Sequence, residues 1–113
     1  MSTKKGLPAH TKSSGNIFAD LGFPNAEEHQ LKAALVVQLK RLIAERELTQ
    51  VAAAKLVQMK QPDLSKLLRG QLKLASVEKL MRMLTAFDHD IEITIKPRRK
   101  RGEAGKITFR TAA

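Results

Sequence analysis

The stretch LTQVAAAKLVQMKQPDLSKLLRGQL, Leu48 to Leu72, decides how the chain is read. It is rich in Ala, Leu and Val, yet it breaks at QMKQP and restarts with a Pro, a Ser and two basic residues among its leucines. Thr49 is a suitable N-cap, so a helix is expected from Gln50 to about Val57. Its alanines favour helix and are small enough for another helix to approach closely. Pro62 disfavours helical geometry at the residue before it but suits the first position of a new helix. A second short helix is therefore expected to start at Pro62, capped by Gln61, and to end near Arg69, with Gly70 as its stop.

At about 100° per residue, Leu64, Leu67 and Leu68 of this short helix share one apolar face. Pro62, Ser65, Lys66 and Arg69 gather on the opposite side. A short helix anchored by leucines, presenting a small polar and basic face after a tight turn, is the physical description of a helix-turn-helix. The break turns the chain so that the second helix can enter a major groove about 12 Å wide.

Upstream, Asn25 followed by Glu28 makes a capping-box-like signal. A long helix is expected from there to about Glu47, with Leu31, Leu35, Leu39, Leu42 and Ile43 as its buried stripe. Ile17, Phe18, Leu21 and Phe23 are expected to fold back over it. Downstream, Ser76 caps a further helix whose apolar stripe is Val77, Leu80, Met81, Leu84 and Phe87. DIEITIKP then alternates strictly, with Ile91, Ile93 and Ile95 on one face and Glu92, Thr94 and Lys96 on the other. A lone strand needs a partner for its ladder. Two partners are open: the same strand of a second copy, and KITFR, residues 106–110, of the same chain.

The chain has 113 residues, a length for one small domain, and no cysteine, which excludes disulfides and thiolate metal sites. No apolar stretch approaches the roughly 20 residues of a membrane span, and no apolar signal core follows Lys4 and Lys5. A cytoplasmic protein is expected. The net charge is +10, which suits a polyanion such as nucleic acid. Half of it lies in residues 97–113, at +5. These residues read as a basic flexible tail that adds nonspecific phosphate attraction. Residues 1–16, polar with Gly, Pro and Ser, read as a flexible N-terminal arm. The ordered domain is expected over 17–96.

Catalysis finds no support. His10, His29 and His89 are scattered, the hydroxyls of TKSSG lie in the arm, and no phosphate-binding glycine loop is present. No enzyme, metal or cofactor is expected.

The Leu48–Gly70 segment resembles the Cro/C1-type helix-turn-helix of the XRE family, through Leu48-Thr49-Gln50, Ala54, Gln61, Leu64-Ser65-Lys66 and Arg69-Gly70. Over roughly residues 16 to 98 it is similar to a subgroup in which many members are HigA-like antitoxins or regulators, encoded beside a RelE-like toxin. The resemblance implies an all-α, lambda-repressor-like DNA-binding domain of about four to five helices with a C-terminal dimerising β-strand. It implies a homodimer on double-stranded operator DNA, acting as antitoxin and autorepressor. The alternatives are a stand-alone XRE-type regulator and a protein-interaction module that no longer reads DNA.

By the same resemblance, Gln50 would bind a phosphate, and Gln61 would position Gln50 or reach a base edge. Ser65, Lys66 and Arg69 would contact bases or backbone. Glutamine can read adenine bidentately, and Arg and Lys can read guanine. Lys60 and Lys73 flank the helix and could add phosphate contacts, and Pro62 shares its exposed face. Asp63 has two readings: interaction with the helix N-terminus, and acceptance from a cytosine amino group. Gln58 departs from the family, whose turns often have Gly there.

Overall fold

The computed structural model of the chain describes residues 25–99, 102 and 104–112. The N-terminal arm and the expected cover from Ile17, Phe18, Leu21 and Phe23 lie outside the described residues. Four α-helices occur among those described: α1 (Asn25–Glu45), α2 (Gln50–Val57), α3 (Gln61–Leu68) and α4 (Val77–Thr85), with a 3-10 turn at Leu72–Leu74.

The long helix α1 carries the expected stripe. Leu35, Leu39, Leu42 and Ile43 are buried, and Leu31 packs at the margin of the core. Asn25 is already helical, the first residue of α1 rather than its cap. Glu28 meets Lys32 at 3.7 Å, one turn on. The helix stops at Glu45 rather than Glu47. Glu47 takes a left-handed φ of 55°, and Leu48 N–H returns to Ile43 O at 3.1 Å. This closes the free carbonyls of the last turn.

Thr49 caps α2, accepting a hydrogen bond from Ala52 N–H at 3.1 Å. Ala53 and Ala54 are buried, and their small side chains let α3 approach. One expectation is corrected at α3. The helix begins at Gln61, and the cap is Lys60, which makes no side-chain capping bond. Pro62 therefore sits in the first turn, where its missing N–H has no intrahelical partner to lose. Leu64 and Leu67 have zero exposure, and Gly70, at φ 109°, ends the helix.

Ser76 caps α4 by accepting from Lys79 N–H at 3.0 Å. Val77, Leu80, Leu84 and Phe87 are buried as expected, but the inward methionine is Met83 and Met81 lies at the edge. At about 100° per residue, position 83 lies about 60° from 80 and about 40° from 87, whereas 81 lies about 100° from 80, toward the rim. Helices α1 and α4 pack along each other, and the α2–α3 pair closes the core against them.

The C-terminal dimerising strand is not formed. Among the described residues there is no strand, and Ile93 and Ile95 are 72% and 93% exposed. Residues 90–97 make no backbone hydrogen bond to another described residue. The physical reason is that alternation supplies one half of a ladder, and among the described residues nothing pairs with it. KITFR does not supply the other half. Instead Ile107 N–H donates to the Glu27 carboxylate (Oε2) at 3.0 Å. Ile107 and Phe109 rest against the core beside Leu31.

Candidate nucleic-acid interface

The site grows from the two helix starts that the turn brings together. Gln50 opens α2 and Gln61 opens α3, and both are exposed. Gln61 Nε2 donates to Gln50 Oε1 at 3.2 Å. The two amides are thus held at one end of the helix pair, where free backbone N–H groups and the positive ends of two helix dipoles face outward.

Along α3 the outward face carries Ser65, Lys66 and Arg69. Lys66 and Arg69 are exposed and Ser65 is half-buried. Arg69 Nη1 donates to the Ser65 hydroxyl oxygen at 3.1 Å, one turn back. This contact holds the guanidinium along the helix and leaves other N–H donors for a phosphate or a guanine edge. Lys60 and Pro62 are exposed at the helix start. Asp63 is half-buried in the first turn, the end of the helix that favours an anion. Lys73 is exposed in the following turn. Apart from Lys73, the expected DNA-facing residues lie on α3, its two caps Lys60 and Arg69, and the adjoining start of α2. Ile91, Ile93 and Ile95 lie apart, in the segment that follows α4.

The turn depends on Gln58, which adopts φ 59° and ψ 51°. Its N–H bonds Lys55 O at 3.3 Å, and Met59 N–H bonds Ala54 O at 2.9 Å. This is the glycine-type helix stop, made here by a glutamine in the left-handed region.

Two supporting residues were not found from the sequence. Lys32 Nζ donates to Leu72 O at 3.2 Å, tying the turn that follows α3 to α1. Its spacing of four from Glu28 was a legible signal for the ion pair, but its reach to Leu72 was not. Arg46 Nη2 donates to Phe87 O at 3.0 Å, and its guanidinium lies 5.1 Å from the Phe87 ring centroid. No local pattern marks a contact across 41 positions.

Among the described residues no group of three or more His, Cys, Asp or Glu could hold a metal. No described helix is long and apolar enough to cross a membrane.

A family model described as a helix-turn-helix domain matches residues 17–96. A solved structure is 38% identical, with a TM-score of 0.74, and the match covers 79% of this chain and 100% of that one. Its name assigns it provisionally to the XRE family of transcriptional regulators. No curated protein matches the chain.

Proposed function

The chain belongs to the XRE-type helix-turn-helix family, and from that premise we propose that it is a sequence-specific, DNA-binding transcriptional regulator. The observation that carries this is the Gln61–Gln50 bond at the head of a basic helix. It sets an amide pair over two helix N-termini, with Ser65, Lys66 and Arg69 continuing along one outward face. Eight residues of α3 make a rod of about 12 Å, a length the major groove accepts.

In this reading Gln50 binds a phosphate beside the α2 N-terminus, and Gln61 holds it there while its own edge faces a base. Lys66 and Arg69 read base edges or backbone from the middle of the groove. Lys60 and Lys73 bind phosphates on either side. Pro62 fixes the entry of α3. Asp63 complements the helix N-terminus, and a cytosine amino group is the base feature it can accept from. The basic residues of 97–113 add attraction that does not depend on sequence.

The unit reads a palindromic operator as a homodimer, joined through the Ile91, Ile93 and Ile95 segment. We read the physiological role as antitoxin and autorepressor of a RelE-like toxin. The support is the resemblance of residues 16–98 to the HigA-like subgroup. A stand-alone regulator shares every structural feature of this reading except the toxin. Binding to the DNA upstream of its own gene, in a gel-shift assay with random DNA as competitor, tests the DNA reading. Co-purification with the product of the adjacent gene tests the toxin. Failure to prefer the upstream DNA overturns the first, and failure to co-purify leaves the stand-alone regulator.

A further inference from the structure

Lys32 lies two turns into α1 and is turned into the domain. Its side chain is 14% exposed, and that of Glu28, one turn back, is 12% exposed. The ammonium lies 3.7 Å from the Glu28 carboxylate and donates to the Leu72 carbonyl oxygen at 3.2 Å, across 40 positions of sequence. That oxygen belongs to the peptide group that joins Leu72 to Lys73. It also accepts from Ala75 N–H, but at 3.5 Å. A 3-10 turn has poor hydrogen-bond geometry of its own, and this one is three residues long. The ammonium bond is the shorter of the two and is charge-assisted. It ties the turn after α3 to α1, the longest described helix. Lys73 leaves the tied peptide exposed to solvent, with no ion pair among the described residues.

We propose that Lys32 is a positioning residue for DNA binding. It fixes the peptide group from which Lys73 projects, and so aims the Lys73 ammonium at a phosphate beside α3. This rests on the DNA-binding reading above and adds a residue that acts without touching DNA. A lysine meets phosphate as a point charge on a flexible stem. The direction set by its backbone is therefore the part of the contact that the fold can arrange in advance. Glu28 compensates the Lys32 charge where it is withdrawn from water. The two charges cancel, so removing both leaves the net charge of the protein unchanged.

The test is a thermodynamic cycle on the full chain. Fluorescence anisotropy reads binding to the DNA upstream of its own gene and to random DNA, at several salt concentrations. Lys73→Ala in the parent should weaken binding to both DNAs by roughly fivefold near about 0.1 M salt. It should also lower the salt slope by about one, the signature of one lost phosphate contact. Glu28→Gln/Lys32→Met removes the tie, and exchange of a buried ion pair for neutral groups is often nearly neutral for stability. This background should lose a similar factor, and Lys73→Ala added to it should cost less than about twofold more.

A Lys32 that serves stability alone gives additive losses instead. Lys73→Ala then costs the same in both backgrounds, and the positioning role is overturned. Parent-like binding by Lys73→Ala overturns it too, while leaving the DNA reading intact. A parent that binds neither DNA overturns both. Circular dichroism checks folding, and Glu28→Met/Lys32→Leu, an apolar pair, serves as the second background should the first lose its helices. Loss of helices in both would make Lys32 a support of the fold and overturn the proposal.

Discussion

The Gln61 side-chain amide donates to Gln50 Oε1 at 3.2 Å, across 11 positions of sequence, and so couples the first residues of the two helices that face the proposed groove. Neither side chain is buried, so the bond adds little to stability. Its consequence is orientation, since an amide held by its neighbour loses less freedom on meeting DNA. Gln61→Ala should leave the fold intact by circular dichroism and narrow the preference for operator over random DNA. Fluorescence anisotropy titrations against both DNAs measure this, and an unchanged ratio would remove Gln61 from the reading face.

Lys66→Ala and Arg69→Ala should each weaken operator binding by about 1–3 kcal/mol, the loss of a good base contact. Leu64 and Leu67, the anchors of the same helix, are untouched, so thermal unfolding should hardly change. Parent-like affinity in both variants would place the reading surface elsewhere.

Gln58 holds a left-handed backbone without the freedom of glycine. Gln58→Gly should stabilise the domain by about 1 kcal/mol, the left-handed penalty less the greater chain entropy of glycine. For a domain of this size that is a rise of about 4–8 °C in Tm. Gln58→Val should lower Tm, because a branched side chain tolerates this conformation worse still. A drop in Tm for Gln58→Gly would contradict the strain.

Arg46 bonds the Phe87 carbonyl, stacks on its ring and meets Asp88 at 3.0 Å. These contacts are unequal. The Asp88 side chain is 89% exposed, and such pairs are worth about 0–1 kcal/mol. Arg46→Ala should therefore cost about 1–3 kcal/mol in urea unfolding, and Asp88→Asn well under half of that. Equal losses would mean that the ion pair, not the carbonyl and ring, joins the ends of α1 and α4.

Thr94→Pro removes a backbone donor from the Ile91, Ile93 and Ile95 segment proposed to join the dimer. Sedimentation should show a monomer, helical content should be retained because the segment lies outside the helices, and operator binding should fall sharply. A dimeric Thr94→Pro protein would place the interface outside this segment.

Much of the architecture is legible in the sequence because its causes are local. Thr49 and Ser76 each cap a helix through a bond to a backbone N–H three residues on. Pro62 and Gly70 bracket α3, and leucines at helical spacing identify its buried side. Such effects act within about one turn of helix, the range over which residue order is also spatial order. The tertiary structure alone decided the rest. Whether Gln58 would enter the left-handed region depended on the packing that α2 and α3 achieve by making that turn. Lys32 reaches Leu72 and Arg46 reaches Phe87 only because packing brings together positions 40 and 41 apart. The alternating isoleucines announced a strand, but a strand requires a second line of backbone donors and acceptors, and the described residues of the chain place none beside them.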